Sequence, residues 1–399
     1  MAPDPNVSVQ PAKPPPWNDP KVRAIVFQII ATAAVAGTIL YLISNTLHNM
    51  EQRGISTGFG FLNNTGGFGI LQSLIEFDET HTYGRTFIVG LLNTILVSGL
   101  GIIFATILGF IMGVARLSSN WLIAKLAAAY IEIFRNIPLL LQIVFWYFGV
   151  FTAQALMPSP RQSIDVGGVM FLNNRGLNLP SPVLGEAFWL TEVTIVAAII
   201  AVVILAKWAH RRQERTGQPF HTVYVSLAIL IGVPGLVFLL SGSPLTWEIP
   251  ELKGFNFRGG ITMIPELFAL LLALTVYTGT FIAETVRSGI QAVSHGQTEA
   301  AHALGLRNGP TLRLIIIPQA MRVIIPPLTS QYLNLTKNSS LAAAVGYPDL
   351  VAVFAGTTLN QTGQAVEIIA MTMAVYLTLS LTISVFMNWY NAKMALRER

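Results

Sequence analysis

The chain has 399 residues, of which 53% are hydrophobic and only 11% are charged, and its mean hydropathy is +0.59. Soluble domains carry about 25% charged residues, so this composition excludes a soluble globular protein and indicates an integral membrane protein. The net charge of +5 is explained by lysine and arginine placed at one membrane face, and we expect no nucleic-acid binding. The sequence has no cysteine, which excludes disulfides and cysteine metal sites.

The first 23 residues form a proline-rich tail that cannot sustain a helix. Lys21 and Arg23 then precede an apolar run, residues 24–43. That run is longer than the apolar region of a signal peptide, which has about 7 to 15 residues. We therefore predict a cytoplasmic tail followed by a retained membrane anchor.

An apolar helix of about 20 residues crosses a bilayer, and eight segments meet that condition. They are residues 24–43, 87–114, 122–151, 188–207, 222–241, 264–286, 326–345 and 368–389. The third contains Glu132, Arg135 and Pro138, and the seventh contains Lys337 and Asn338, so we expect these two spans to be kinked or partly interfacial. The sequence predicts an all-α membrane protein with about eight transmembrane helices.

Lysine and arginine are distributed unequally between the two sets of loops. If the tail is cytoplasmic, the opposite loops contain only Arg53, Arg85, Arg161, Arg175, Lys253 and Arg258. The positive-inside rule then places both termini, including the short tail 391–399, in the cytoplasm.

Two long outer segments, residues 44–86 and 152–263, are predicted to be periplasmic. The first is rich in glycine and phenylalanine, and it is either a packed loop or a docking surface. Its acidic cluster, Glu76, Asp78, Glu79 and His81, is better explained by a solvated loop than by a metal site. The second segment shows no regular pattern around its prolines, and it contains a transmembrane hairpin, residues 188–241, joined by the basic run 207–215. Because an inserted hairpin preserves the orientation of its flanks, the core is assigned to residues 87–151 and 264–390.

Motifs for chemistry are missing from the sequence. No Gly-x-x-x-x-Gly-Lys-Ser/Thr segment occurs, so the chain lacks the phosphate-binding loop of an ATPase. His295 and His302 have no third ligand nearby and do not indicate a metal site. We expect no catalytic residue, cofactor or metal in this chain, which is therefore predicted not to be an enzyme.

A polar segment, residues 294–318, separates two apolar spans on the cytoplasmic side. Residues 297–304 are typical of a short amphipathic helix, Gly305 can adopt the left-handed conformation that ends it, and Pro310 fits the first turn of a second helix. Glu299 would complement the helix dipole and reach a basic group on another protein, while Ala300 and Ala301 keep the helix thin. We therefore predict that a separate protein outside the membrane binds this compact segment and exerts force on it.

Ionisable residues inside membrane spans are costly and often functional. Arg135 and Lys337 have either a structural role or a role in attracting a solute carboxylate. Glu284 has Arg287 three residues later on the same helix face, and these two side chains can neutralise each other. A polar stretch within the seventh span is the strongest candidate for the solute pathway, because lipid cannot satisfy its hydrogen-bonding groups. The pathway candidates are Arg135, Glu284, Thr336, Lys337, Asn338, Ser339 and Ser340.

The order Glu299-Ala300-Ala301, Gly305, Ile315 and Ile317-Pro318 resembles the cytoplasmic coupling signature of ABC-importer permeases. Residues 130–138, 281–290 and 335–341 are similar to the histidine/glutamate/glutamine polar amino-acid branch of that family. The extra first span, the Gly/Phe-rich loop and the hairpin resemble the long Q-type permease of general L-amino-acid importers; the glutamate/glutamine/aspartate/asparagine importer has a similar long permease. The resemblance implies a type I importer core in which the coupling residues are Glu299, Ala300, Ala301, Gly305, Leu306, Ile315 and Pro318.

The same resemblance implies an assembly in the bacterial inner membrane. It would contain a second homologous permease, two copies of an ATPase that binds ATP and magnesium, and a periplasmic binding protein that delivers L-amino acids of broad or polar and acidic type. The alternative is a self-sufficient secondary amino-acid transporter or channel. Such a protein is expected to show two inverted halves, and the sequence shows no such repeat.

Overall fold

Helices make up most of the protein in a computed structural model that describes residues 17, 19–52, 54 and 57–394. Most of the predicted N-terminal tail and residues 395–399 of the predicted C-terminal tail lie outside the described residues. The helices are α1 Pro20–Gln52, α2 Tyr83–Arg116, α3 Trp121–Asn136, α4 Leu139–Val144, α5 Phe188–Thr216, α6 Thr222–Leu227, α7 Val233–Leu240, α8 Pro265–Gln291, α9 His295–Ala303, α10 Asn308–Thr311, α11 Ile317–Asn338, α12 Leu359–Thr362 and α13 Ala365–Met394. Wider π-helical turns occupy Phe145–Phe151, Ala228–Gly232, Leu312–Ile316 and Val351–Thr358, and 3-10 turns occupy Gly60–Asn63, Pro160–Gln162 and Ser339–Ala344.

Seven helices of the described chain are long and apolar enough to cross a membrane, or eight if one bent pair counts as a single span. The bent pair is the predicted third span, which breaks by 103° between Asn136 and Leu139. Pro138 forces the residue before it out of the helical region, and Ile137 accordingly has φ −96° and ψ 128°. The predicted helical membrane fold and the expected kink are both confirmed.

The seventh span begins nine residues earlier than predicted, at Ile317 instead of Pro326. Pro326 and Pro327 lie inside α11, although proline usually breaks a helix. Membrane helices tolerate proline where neighbouring helices support the backbone. Ile324 and Ile325, directly before the two prolines, are fully buried in the core and provide that support.

The core of the described chain lies where α2, α8 and α11 meet. Fully buried side chains from all three helices, including Val97, Leu274 and Leu335, form one hydrophobic cluster with Tyr347. This cluster fixes the relative positions of the helices that carry most of the predicted functional residues.

Glycines on α2 allow α8 to approach closely. A Cβ atom at Gly109 would lie 2.5 Å from Ile282 Cβ, and one at Gly113 would lie 2.6 Å from the carbonyl oxygen of Ala283. Small residues at helix interfaces let backbones approach in membranes, where van der Waals packing drives association. The contact between α2 and α8 therefore depends on these two glycines.

The Gly/Phe-rich loop is packed against the outer ends of α2 and α13. Phe61 is 5% exposed, and its ring lies 6.3 Å from the ring of Phe354 and 6.4 Å from that of Tyr83. The backbone N–H of Gly58 donates to the Glu367 carboxylate at 2.6 Å. Of the two interpretations of this loop, packing is confirmed.

The second outer segment contains strands that the sequence pattern did not indicate. They are β1 Ile164–Val166, β2 Met170–Asn173, β3 Gly176–Leu179, β4 Ser181–Leu184, β5 Leu245–Glu248, β6 Glu251–Lys253, β7 Asn256–Arg258 and β8 Ile261–Met263. An antiparallel sheet has the order β1-β2-β3-β8, and β4–β5 and β6–β7 form separate antiparallel pairs. Most of these strands are short and exposed, so they lack the alternation of apolar residues that predicts a strand.

The inserted hairpin is held at its base by the strand pair β4–β5. Leu184 of β4 pairs with Leu245 of β5. In the part of the chain that connects these strands, α5 and α7 pack mainly against each other. The basic run 207–215 was predicted to be the connection between the two spans, but it forms the last part of α5. That helix ends at Gly217, which has φ 70°. The pairing of β3 with β8 then brings the chain back to α8.

We predict that Gly109→Ala destabilises the protein, whereas Gly99→Ala on the same helix does not. The added Cβ at position 109 meets Ile282, while at position 99 it meets nothing within 4 Å. Overpacking a core contact costs about 1–3 kcal/mol. Thermal unfolding of the detergent-solubilised protein, followed by size-exclusion chromatography, measures the difference. Equal melting temperatures for the two variants would contradict this account of the α2–α8 contact.

Candidate functional site

The predicted coupling segment forms a short helix that ends in a tight turn. In α9 the backbone N–H of Gly305 donates to the carbonyl of His302 at 2.9 Å, and that of Leu306 donates to the carbonyl of Ala301 at 3.0 Å. This is the Schellman arrangement, which requires a left-handed residue at the turn. Gly305 has φ +78°, so its predicted conformation is confirmed.

Glu299 lies in a different part of the helix from the one predicted. The helix begins at His295, two residues before the predicted start, so Glu299 is in the second turn and not at the N-terminus. Dipole effects are largest in the first turn, and the predicted interaction of Glu299 with the helix dipole is therefore wrong. The carboxylate lies 3.1 Å from the imidazole of His295, and its side chain is 72% exposed.

The side chains of this turn are divided between the protein and the solvent. Ala301 is 1% exposed and packs inward, whereas Ala300 is exposed. Leu304 is 82% exposed at the end of α9, and Leu306 is half-buried. Leu304 was not among the predicted site residues, although an apolar residue directly before a terminating glycine could have indicated it.

The remaining coupling candidates connect this turn to a membrane span. Ile315 lies in the π-helical turn Leu312–Ile316, and Pro318 lies in the first turn of α11. Pro310 is in the first turn of α10, as predicted. The Gln319 side-chain amide donates to the Gln297 amide oxygen at 3.3 Å, which links α11 directly to α9. A displacement of α9 would therefore act directly on the first turn of α11.

Two of the pathway candidates, Arg135 in the last turn of α3 and Glu284 in the second half of α8, lie within electrostatic reach of one another. Glu284 forms an ion pair with Arg287, whose Nε lies 3.1 Å from both carboxylate oxygens. Arg135 and Arg116 lie within electrostatic reach of the same carboxylate. Glu284 and Arg287 thus form an ion pair on one helix face, as their spacing in the sequence suggested.

The polar stretch at the end of α11 divides into two kinds of residue. Thr336 and Ser339 are buried, and their hydroxyls donate to carbonyls of their own chain at 3.0 and 2.8 Å. Lys337 and Ser340 line a groove of about 540 Å³ beside α13. Asn338 lines a different cavity. Because the hydroxyls of Thr336 and Ser339 are already hydrogen-bonded within the protein, they are not free to bind a solute. Lys337 and Asn338 are therefore the stronger pathway candidates.

The cavity beside Asn338 is small and polar, with a volume of about 350 Å³. It lies between α8 and α11, and we call it the amide pocket. Its lining consists of Tyr277, Thr278, Phe281, Gln331, Asn334 and Asn338. Three carboxamides and two hydroxyl-bearing side chains in such a place can bind both donors and acceptors of a zwitterionic solute. Of these residues, only Asn338 was predicted, because amides spaced along a helix give no local motif.

The acidic cluster of the outer loop is held by its own hydrogen bonds. Asp78 accepts from the Thr80 hydroxyl at 2.5 Å and from the Thr80 backbone N–H at 2.8 Å, and His81 lies 2.9 Å away. The two bonds from Thr80 lower the pKa of Asp78 below its usual range, and His81 adds to this effect. Within the described residues no group of histidine and carboxylate side chains could hold a metal ion.

Comparison with known proteins gives full-length relatives. The chain is 58% identical to the putative amino-acid ABC transporter permease protein YhdX of Escherichia coli, over 96% of both chains. It is 53% identical to the general L-amino acid transport system permease protein AapQ of Rhizobium johnstonii, over 96% of this chain and 94% of that one. It is 44% identical to the glutamate/glutamine/aspartate/asparagine transport system permease protein BztB of Rhodobacter capsulatus, over 96% of both chains.

A crystal structure of an amino acid ABC transporter with histidines aligns with 78% of this chain at 20% identity and a TM-score of 0.46. The family assignment rests instead on the sequence relatives and on a family match over residues 105–396. That match includes α3, α8, α9, α11 and α13 in full and the C-terminal third of α2, and therefore the elements that carry the predicted coupling turn and the amide pocket. The chain belongs to the family of binding-protein-dependent transport system inner membrane components.

Proposed function

We propose that this chain is the permease subunit of an ATP-driven importer of L-amino acids, and that α9 and its turn transmit force from a separate ATPase. The exposed Leu304 beside the left-handed Gly305 is the observation that carries the proposal. An apolar side chain that projects from a rigid, polar turn is suited to a groove on another protein. Glu299 is exposed next to it and is available to a basic group of that protein.

The solute is proposed to be an amino acid of broad or polar and acidic type. The relatives named above support this, since two are named for L-amino acids in general or for glutamate, glutamine, aspartate and asparagine. The amide pocket and Lys337 also favour it, because carboxamides and an ammonium group bind the polar ends of an amino acid. Thr336, Ser339 and Ser340 would support the pathway by packing, and Arg135 and Glu284 would support it from the cytoplasmic side.

The partners follow from the same proposal. Two copies of an ATPase would bind ATP and magnesium, a periplasmic binding protein would deliver the solute, and a second homologous permease would complete the pathway. This chain would hold no cofactor and would not hydrolyse ATP itself. It would lie in the bacterial inner membrane with both termini in the cytoplasm, so that α9 faces the ATPase.

We predict that Gly305→Val uncouples ATP hydrolysis from uptake. A β-branched residue at φ +78° costs about 1–2 kcal/mol, which favours another shape of the turn. Uptake of radiolabelled L-glutamate and ATP hydrolysis by the reconstituted importer are measured together. Gly309→Ala is the control, because its backbone is not left-handed and its added Cβ meets nothing. Normal uptake by Gly305→Val would exclude a coupling role for the turn.

We expect Leu304→Glu to weaken the binding of the ATPase without unfolding the permease. Burying a leucine side chain contributes about 1.5–3 kcal/mol, so the loss corresponds to about tenfold or more in affinity. Co-purification of the ATPase with the tagged permease measures the effect. Leu304→Met, which preserves volume and apolarity, keeps the ATPase bound. Unchanged co-purification with the glutamate variant would show that Leu304 is not at the interface.

Lys337→Met is predicted to lower the rate of L-glutamate uptake by about tenfold, while the assembled complex remains intact. A hydrogen bond to a charged group contributes about 1.5–3 kcal/mol, and methionine removes the charge but keeps the length of the side chain. Lys337→Arg retains the charge and is expected to restore most of the rate. If methionine and arginine give the same kinetics, Lys337 has a structural role.

A further inference from the structure

A cavity of about 590 Å³ lies beside the Gly/Phe-rich loop. It lies between the Gly/Phe-rich loop, the first turn of α8 and residues 343–360. Phe68, Leu71, Glu266, Pro348, Gly356 and Asn360 are among its lining residues. We call it the outer cavity. Its volume falls within the range of about 300–1,000 Å³ that is typical of small-molecule sites.

The outer cavity and the coupling turn lie near opposite ends of α8. The helix has 27 residues, and at 1.5 Å per residue it is about 40 Å long, which matches the thickness of a bilayer with its headgroups. Glu266 is in the first turn of α8, and α9 begins at His295, four residues after Gln291, the last residue of α8. With the coupling turn in the cytoplasm, as proposed above, the outer cavity lies on the side of the membrane from which a binding protein would deliver a solute.

The carboxylate of Glu266 is only partly satisfied by the protein. Tyr147 donates its hydroxyl to Oε1 at 2.8 Å, whereas Oε2 is buried and has no hydrogen-bond partner within the described residues. The ion pairs among those residues do not include Glu266. A buried polar group without a partner costs about 1–3 kcal/mol, and more when charged, so the carboxylate has an unused acceptor that a ligand would satisfy after a rotation of the Glu266 side chain toward the cavity.

A role for Glu266 as a simple helix cap does not account for these contacts. The N-cap of α8 is Ile264, which makes no side-chain cap, and the carboxylate accepts from Tyr147 in the π-helical turn Phe145–Phe151. The positive end of the helix dipole favours the ionised carboxylate. Glu266 is thus a negative group held in a cavity wall and not a group used to end the helix.

The walls around Glu266 are fixed by buried hydrogen bonds. The side-chain amide of Asn93, which is fully buried in α2, donates to the carbonyls of Gln72 at 2.9 Å and Pro348 at 2.8 Å. These bonds join the Gly/Phe-rich loop to the segment that carries Asn360. Binding to walls already held in place costs less ordering entropy than binding to mobile loops.

We infer that the outer cavity binds the α-ammonium group of an amino acid through Glu266, as a first site for the solute on its way to the amide pocket. This inference rests on the proposed function. Glu266 Oε2 accepts from the ammonium, Tyr147 orients the carboxylate, and the Asn360 carboxamide donates to the α-carboxylate. The ammonium is common to all L-amino acids, and the rest of the lining is mostly apolar and carries no second charged side chain, so the outer cavity selects for the class and not for one side chain.

The test compares Glu266→Gln with wild type in the importer reconstituted with its ATPase, second permease and binding protein. We expect the variant to take up radiolabelled L-glutamate at least about tenfold more slowly, while the ATPase remains bound. Glu251→Gln, which neutralises an exposed carboxylate on β6, keeps the wild-type rate. If wild type itself takes up no amino acid, the proposed function fails; if Glu266→Gln matches an active wild type, the inference alone fails.

A second measurement distinguishes recognition of the ammonium from a structural effect. Without binding protein, the solubilised complex is titrated with L-glutamate and with 2-hydroxyglutarate, which differ in having an ammonium or a hydroxyl at the α position. Wild type is expected to prefer L-glutamate by about tenfold, and Glu266→Gln to lose that preference. An equal preference in both proteins would overturn the assignment of the ammonium to Glu266.

Discussion

The close approach of α2 and α8 is the contact on which the rest of the molecule depends. Gly109 and Gly113 remove the side chains that would hold the two backbones apart. Without a hydrophobic force between helices in lipid, this contact relies on van der Waals packing over its whole length. Because α8 is held along one side, both of its ends have defined positions. The outer cavity and α9 are thereby placed relative to a single rigid helix.

The geometry gives α9 two routes to the membrane spans. It follows α8 through the short connection at residues 292–294, and it bonds to α11 through Gln297 and Gln319. The amide pocket lies between these same two helices. A displacement of α9 therefore acts on both walls of the pocket, which is the arrangement that an alternating-access transporter requires.

Hydropathy predicted most of the membrane spans because their environment imposes one requirement along some 20 residues. Gly305 was predicted because a left-handed residue leaves a local signature. The strands of the second outer segment were missed, since each has only three or four residues, which is too short for a pattern of alternation to be recognised. Glu266 was missed for another reason: an acidic residue in the first turn of a helix is common, and only the tertiary structure shows that it lines a cavity and has a buried oxygen without a partner among the described residues.

The groove beside Lys337 places a charged side chain on the surface of a membrane-spanning helix. Lys337 is exposed on α11, and hydroxyls of Thr372, Tyr376 and Ser380 line the same groove on α13. An ammonium group facing hydrocarbon costs about 2.5 kcal/mol or more, and the described residues provide no ion-pair partner for it. Contact of this surface with lipid is therefore unfavourable. A second permease that covers the groove would turn a costly face of one subunit into the wall of a shared polar pathway.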